Sequence, residues 1–177
     1  MTVVSNTTPL NYLILTGTVD VLPAIFGRVY VPSAVINELS HPRSPAVVRA
    51  WANTPPAWLT VQDPTQIDPS LKLGAGEAAA IALALEIGAE HILIDERKGY
   101  KVAQQRGLGT SSTLGVLEEA SHRGLIDFEA KIDRLVKETT FYVTEEVLQD
   151  FRRRIQGQER ARQQEQPAQD PPAHEQP

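Results

Sequence analysis

The sequence predicts an α/β domain with a mostly parallel central sheet and helices on both faces of the sheet. Short runs of β-branched and aliphatic residues alternate along the chain with longer segments of helical periodicity. Each short run ends where a helix signal begins, which favours parallel strands joined by right-handed crossovers. The composition, 41% hydrophobic and 22% charged in 177 residues, is typical of one soluble domain.

The first part of the chain is predicted to contain two strands and three helices. The strands are VVS at 3–5 and RVYV at 28–31. Helical patterns are PLNYLILTG and VDVLPAIF before the second strand, and SAVINELS after it. Thr8 is the expected N-cap of the first helix, because Pro9 suits the first helical position.

Residues 41–73 interrupt this alternation. They hold six of the 13 prolines and one helical pattern, SPAVVRAWANT, so we expect a lid or clamp beside the functional site. The alternation then resumes with the helical pattern GEAAAIALALEIG, the strand HILID at 91–95, and the helical patterns ERKGYKVAQQRG and STLGVLEEASHRG. Two amphipathic segments follow, DFEAKIDRLVKET and TEEVLQDFRRRI, which either pack on their own domain or offer a groove to a partner.

The composition changes near Gly157. From there the chain is rich in Gln, Pro and charged residues and lacks large apolar side chains, so we expect it to be disordered. The predicted organisation is a folded domain at 1–156 and a disordered tail at 157–177. The tail has four acidic and two basic residues, so it contributes −2 to the net charge of −5.

Several classes of protein are excluded by composition. The chain has no cysteine, which rules out disulfide frameworks, cysteine-bound metals and thiol nucleophiles. No apolar run approaches the ~20 residues needed to span a bilayer, and residues 1–10 lack a signal-peptide pattern, so we expect a cytoplasmic protein without a membrane partner. The net charge of −5 argues against indiscriminate nucleic-acid binding but leaves room for local basic patches.

Four oxygen-bearing side chains lie near predicted strand ends or helix starts. Asn6 and Asp95 follow strands, whereas Glu38 and Glu77 lie early in helices that begin near the same edge of the sheet. Ligands of open parallel sheets gather beyond the carboxyl ends of the strands. Carboxylates that meet there without Lys or Arg repel one another unless a cation lies between them, and Mg²⁺ or Mn²⁺ is the expected occupant. Singly, each side chain also has a local explanation, such as a helix cap or a surface Glu.

The segments around these four residues form recognisable motifs. They are V-S-N-T-T-P-L, V-P-S-A-V-I-N-E-L, L-G-A-G-E-A-A-A-I-A-L-A and I-L-I-D-E-R-K-G-Y-K-V-A, followed by S-T-L-G-V-L. Across roughly residues 2–125, they resemble the motifs of PIN-domain ribonucleases, in particular the toxin-like branch similar to VapC. The resemblance implies a PIN-like fold and metal-dependent hydrolysis of RNA.

The resemblance also implies roles for particular residues. Glu38, Glu77 and Asp95 would hold one or two Mg²⁺ or Mn²⁺ ions, with Asn6 assisting. A small antitoxin protein and a second copy of the chain are the implied partners besides RNA. The wider family pattern has Asp at the position of Asn6, so we expect lower affinity or activity here, and we expect Asn6→Asp to preserve or raise cleavage. The same Asn favours an alternative, a catalytically weak module that binds RNA or protein.

Candidate substrate contacts lie on either side of the predicted strand-end site. A short basic stretch with one tyrosine follows the last acidic motif, and hydroxyl residues precede the helix TLGVLEEA. Basic and aromatic side chains bind phosphate and stack on bases, and a helix start can bind phosphate. A solvated basic surface and a simple helix cap explain the two groups equally well. The candidates are Arg97, Lys98, Tyr100, Lys101, Ser112 and Thr113.

A competing hypothesis is a dinucleotide site. The segment Gly74-Ala-Gly76-Glu-Ala-Ala79 satisfies G-x-G-x-x-A, and Asp95 lies near the ~20-residue offset of a ribose-binding acid. That motif requires a buried strand directly before it, whereas QIDPSLKL contains Pro69 and two charged residues. Glu77 would also place a negative charge beside the pyrophosphate, so this hypothesis is the weaker one.

Overall fold

A five-stranded parallel sheet forms the centre of the protein, in a computed structural model that describes residues 1–165. The prediction of an α/β fold with a mostly parallel sheet is confirmed. The strands are β1 (Thr2–Ser5), β2 (Arg28–Val31), β3 (Leu59–Val61), β4 (His91–Leu93) and β5 (Gly109–Ser111). Their order across the sheet is β3-β2-β1-β4-β5, and all four neighbouring pairs are parallel.

The described chain also contains nine α-helices and two short 3-10 turns, at Val19–Val21 and Pro69–Leu71. The helices are α1 (Thr7–Leu15), α2 (Leu22–Phe26), α3 (Ser33–Leu39), α4 (Ala46–Asn53), α5 (Ala75–Glu86), α6 (Arg97–Gln105), α7 (Thr113–His122), α8 (Phe128–Glu138) and α9 (Glu145–Glu165).

The first helix begins earlier than its sequence signal indicates. Asn6, not Thr8, is the N-cap of α1, with an extended backbone at φ −79° and ψ 173°. Its side chain makes no capping hydrogen bond, although Asn is a favoured capping residue. The Asn6 amide is therefore available for contacts outside its own helix.

Two edge strands were not predicted from the sequence. Residues 41–73 contribute α4 and the strand β3, which pairs with β2 through Val29 and Leu59, so this segment builds part of the sheet instead of a separate lid. Only Leu59 among the β3 residues is buried, which removes the alternating pattern that marks a half-buried strand. The other edge strand, β5, has the sequence Gly-Thr-Ser and carries no apolar side chain.

The core beside the site is built around α5. This helix is almost entirely Ala, Ile and Leu, and it packs against β1, β4, α3 and α6. Val4 and Ile92 from the strands, and Ile94 just after β4, meet its buried residues in one cluster. Each large side chain buried there contributes about 1.5–3 kcal/mol relative to an exposed one. The first turn of α5, which carries Glu77, is therefore anchored firmly against the strand ends.

The described chain divides into two compact units, Met1–Tyr142 and a segment that begins at Val143. In the first unit, α8 buries Phe128, Ile132 and Leu135, whereas Val136 is exposed. The second unit contains α9, which continues through residue 156, the predicted end of the folded domain, to Glu165. Gln, Glu and Arg dominate its last turns, and these residues favour a helix without needing burial. Residues 166–177 of the predicted tail lie outside the described residues.

No single helix among residues 1–165 is long and apolar enough to cross a membrane. The sharply bent pair Thr7–Leu15 and Val19–Phe26 satisfies the length and composition of such a segment. Leu10, Leu13 and Leu22 from this pair are fully buried in the protein core.

Candidate active site

The ends of the two central strands bring Asn6 and Asp95 to one edge of the sheet. Ser5 pairs with Leu93 in the β1–β4 register, and the Asn6 N–H donates a hydrogen bond to the Leu93 carbonyl at 2.9 Å. Asp95 follows two residues after Leu93. Parallel pairing places the residues after both strands side by side, as the sequence predicts.

Asn6 is buried, with 2% of its surface exposed. Its Nδ2 donates a hydrogen bond to Oε2 of Glu96 at 3.1 Å. Its Oδ1 is also buried, and no residue in the described part of the chain provides a hydrogen-bond partner for it. A buried polar atom normally has a partner from protein, water or an ion, since leaving it unpaired costs about 1–3 kcal/mol. Asn6 Oδ1 is therefore an open acceptor at the strand-end edge.

Glu38 is the next-to-last residue of α3, not an early one as predicted, because the helix ends at Leu39. Two donors from other elements hold its carboxylate. Its Oε1 accepts from the backbone N–H of Gly76 at 2.9 Å, and its Oε2 accepts from the Thr7 hydroxyl. A Cβ added at Gly76 would lie 2.7 Å from Glu38 Oε2, closer than real Cβ contacts occur. With a larger residue at position 76, the Glu38 carboxylate would have to move from this place against the start of α5.

Glu77 is half-buried in the first turn of α5. Burial raises the pKa of its carboxyl above the usual value, and the negative charges of Glu96 and Glu38 raise it further. The positive charge of Lys98 opposes this rise. A Cβ added at Gly99 would lie 3.3 Å from Glu77 Oε2, so α6 passes close to this carboxylate. The like charges around Glu77 show that the acidic groups influence one another.

Both carboxylate oxygens of Asp95 accept hydrogen bonds from Thr113, which is fully buried at the start of α7. Oδ1 of Asp95 accepts from the Thr113 N–H and Oδ2 accepts from the Thr113 hydroxyl, both at 2.7 Å. Burial raises the pKa of the Asp95 carboxyl above its usual value; the two bonds from Thr113 oppose this rise, and the charge of Glu96 adds to it. Asp95 is thus held in one orientation next to another acid.

Glu96 is the site residue that the sequence reasoning missed. Its Oε2 accepts from Asn6 Nδ2, its Oε1 accepts from the Thr8 hydroxyl, and its charge raises the pKa of both Glu77 and Asp95. The available signal was its place directly after Asp95, at the same strand end. The sequence pattern assigned Asp95 to the end of a strand and Glu96 to the start of the next helix, and it singled out only Asp95.

The candidate substrate residues separate into two groups. Arg97, Lys98 and Lys101 are exposed on α6, and Lys98 Nζ donates to the Lys72 carbonyl. Tyr100 is half-buried and packs against the core cluster around α5. RNA binding by these four residues remains a prediction.

The hydroxyl candidates are both engaged within the protein. Ser112 caps α7, since its Oγ accepts from the Gly115 N–H at 3.2 Å. Thr113 uses both its N–H and its hydroxyl on Asp95. Their expected phosphate contacts therefore compete with capping and with the orientation of Asp95.

The donor set fits a hard divalent cation in its chemistry. It offers carboxylate oxygens with raised pKa values and the unpartnered Asn6 Oδ1, which are ligand types that Mg²⁺ and Mn²⁺ prefer. Within residues 1–165, however, no three His, Asp or Glu side chains are grouped closely enough to hold an ion. Hydrogen-bond donors occupy Glu38, Asp95 and Glu96 instead. Each of these carboxylate oxygens keeps a second lone pair, so an ion would bind only if the carboxylates moved closer together while keeping these partners.

The dinucleotide hypothesis requires a strand directly before Gly74, and the structure has none there. The residues directly before Gly74 form the 3-10 turn Pro69–Leu71 and a loop, and Gly76 packs against the Glu38 carboxylate. A pyrophosphate-binding turn needs a preceding strand and free space at its second glycine. Neither condition is met here.

A family model described as a PIN domain matches residues 2–157. No curated protein and no solved structure shows a significant match to the chain.

Proposed function

Because the chain belongs to the PIN-domain family, whose members are generally nucleases, we propose that it is a metal-dependent endoribonuclease. The observation that carries this proposal is the acidic group at the strand ends, with a buried and unpartnered amide oxygen beside it. The proposed site residues are Asn6, Glu38, Glu77 and Asp95.

Bound Mg²⁺ or Mn²⁺ would supply charge neutralisation at the scissile phosphate and a water of lowered pKa. Glu77, Asp95 and Glu38 are the proposed ligands, together with Oδ1 of Asn6. Thr113 fixes the direction of Asp95, and the Gly76 N–H fixes that of Glu38. Such partners of ligating carboxylates orient them and raise metal affinity.

RNA is the proposed substrate, and the exposed basic residues of α6 are the proposed phosphate contacts. Arg97, Lys98 and Lys101 lie within six residues of Asp95 in the sequence and are exposed to solvent. Phosphate contacts position a nucleic acid without reading its sequence. Tyr100 is the proposed base contact, though its ring is half-buried against the core.

A second candidate function is a PIN-like module that binds RNA or protein without cutting. Asn6 stands where the wider pattern has Asp, which removes one charge from the site. The described residues also bring no three acidic side chains into metal-binding geometry. These two observations favour weak or absent catalysis.

We propose further that the protein is the toxin of a cytoplasmic toxin–antitoxin pair, bound by a small antitoxin and present as a homodimer. This rests on the resemblance of V-S-N-T-T-P-L and I-L-I-D-E-R-K-G to the VapC-like branch. Expression of the chain should arrest growth, and co-expression of the neighbouring reading frame should relieve the arrest. Arrest by an Asp95→Asn variant would contradict a role that depends on cleavage.

Cleavage of labelled single-stranded RNA tests the nuclease proposal. The parent should cut in Mg²⁺ or Mn²⁺ and stop when a chelator is added. Asp95→Asn and Glu77→Gln should each lower the rate by about 100-fold or more, since each removes a charged ligand. Glu129→Gln is the matched control, because it removes the same charge from the first turn of a different helix, α8.

Two results would count against the proposal. Equal cleavage rates for Asp95→Asn and the parent would show that RNA is not cut at the proposed site. A parent that binds RNA but cuts none with either metal would favour the binding module.

A further inference from the structure

The side-chain amide of Asn6 is held by one carboxylate, that of Glu96. Asn6 Nδ2 donates to Oε2 of Glu96 at 3.1 Å. The other oxygen of Glu96, Oε1, accepts from the Thr8 hydroxyl in the first turn of α1. Both oxygens of the Glu96 carboxylate are therefore bound to groups at or next to the N-terminus of α1, about ninety residues earlier in the chain.

This arrangement allows only one orientation of the amide. Turning it over would place Asn6 Oδ1 against the Glu96 carboxylate, where two acceptors repel, and would leave Nδ2 without its acceptor. In the observed orientation, Oδ1 is buried and has no partner among residues 1–165. Glu96 thus decides which atom of Asn6 remains open.

Helix capping does not account for Glu96. It occupies the N-cap position of α6, but its side chain makes no capping hydrogen bond. Its carboxylate turns instead to Asn6 and Thr8. A negative charge near a helix N-terminus is favourable in general, yet that would not require contact with another helix.

We propose that Glu96 is a positioning residue that holds Asn6 so that Oδ1 faces the bound cation of the nuclease site. Together the two residues replace one aspartate: Asn6 provides the oxygen ligand, and Glu96 provides the negative charge. The part concerning the cation rests on the proposed function, whereas the orientation of the amide does not. Asn6→Asp alone therefore impairs the site by setting two carboxylates face to face, which reverses the expectation from the sequence.

Side-chain amide exchange tests the orientation without metal or RNA. In the ¹H–¹⁵N spectrum, the Asn6 NH₂ signal is assigned by its loss in Asn6→Ala. Its hydrogen exchange should be at least about 10-fold faster in Glu96→Ala than in the parent, because the buried acceptor is gone. Glu129→Gln should leave it unchanged. Equal exchange rates in Glu96→Ala and the parent would overturn the proposal.

A reversed pair provides the second test. In metal-free buffer near neutral pH, Asn6→Asp should melt at a lower temperature than the parent. The double variant Asn6→Asp/Glu96→Gln should recover the parent's midpoint, since the new amide at position 96 would then donate to the new carboxylate at position 6. Additive losses in the double variant, or Asn6→Asp melting no lower than the parent, would overturn the proposal.

Manganese titration followed by calorimetry addresses the cation. Glu96→Ala should bind Mn²⁺ at least about 10-fold more weakly, and the reversed pair should bind within about threefold of the parent. Unchanged Mn²⁺ affinity in Glu96→Ala would overturn the cation-facing role. If the parent binds Mn²⁺ and shows these effects but cuts no RNA, the nuclease proposal fails and the positioning role stands.

Discussion

Thr113 is the residue on which the orientation of Asp95 depends most directly. Its hydroxyl and its backbone N–H each bind one carboxylate oxygen at 2.7 Å. Thr113→Val keeps the shape and the N–H bond but removes the hydroxyl bond. Hydrogen bonds to charged groups contribute about 1.5–3 kcal/mol, so we expect a loss of this size in the free energy of unfolding.

The same substitution should also slow cleavage by about tenfold or more, because Asp95 is less well oriented and its raised pKa rises further. Urea unfolding and RNA cleavage measure the two effects. Thr113→Ser keeps the hydroxyl and is the matched control. If Val and Ser variants behave alike in both assays, the hydroxyl bond has no role at the site.

Individual side chains show how far sequence reasoning reaches. The sequence predicts that Asn6 and Asp95 lie at one edge of the sheet because both follow strands, and the parallel pairing of β1 with β4 places the two strand ends side by side. Glu96 was missed because its significance lies in a hydrogen bond to Asn6, ninety residues away in the chain. Local patterns report caps and buried faces, whereas a contact between two loop-end side chains depends on the finished sheet.

Helices α3 and α6 both pack closely against α5, and glycine makes the two approaches possible. Gly76→Ala should disturb the site, since its Cβ would meet the Glu38 carboxylate at 2.7 Å. Gly157→Ala in α9 is the matched control, because among residues 1–165 no atom outside its chain neighbours and its own helix backbone lies within 4 Å of its Cβ position. Alanine there should stabilise the helix by up to about 1 kcal/mol through higher helix propensity.

Unfolding and cleavage assays on both variants compare these effects. We expect Gly76→Ala to lower cleavage and to gain none of the stability that Gly157→Ala gains. An increase in stability of similar size in both variants, with full cleavage, would show that Glu38 moves aside at no cost.

The central elements were predictable from sequence, and the edge elements were not. β1, β2 and β4 are rich in buried Val, Ile and Leu, which form recognisable runs. β3 and β5 are held in the sheet by backbone pairing, and their side chains are mostly exposed or polar. Edge strands need little apolar surface, so periodicity does not reveal them.

For the molecule as a whole, metal binding should appear as thermal stabilisation. A ligand that binds only the folded state at about 100 times its Kd adds about 2.7 kcal/mol, or roughly 5–10 °C for a domain of this size. Mn²⁺ should raise the melting temperature of the parent by this amount. Asp95→Asn should show a much smaller shift. An equal shift in both proteins would place the ion elsewhere.

The stabilisation should depend on pH in a defined direction. The pKa values of Glu77 and Asp95 are raised in the folded protein. Without metal, their contribution to the free energy of unfolding is therefore fully present below the usual carboxyl pKa, and it is lost as the pH rises through the raised values. Metal ligands must be deprotonated, so the Mn²⁺-dependent shift should grow over the same rise in pH. Melting curves at several pH values, with and without Mn²⁺, measure both trends.

The strand order β3-β2-β1-β4-β5 has a consequence for a chain that is still being made. Strands β2 and β3 are added on one side of β1, and β4 and β5, which come later in the sequence, are added on its other side. The Asn6–Glu96 and Asp95–Thr113 contacts form only after that return. The amino-terminal half that first leaves the ribosome therefore carries an incomplete site. The proposed nuclease site is therefore complete only when most of the sequence has been translated.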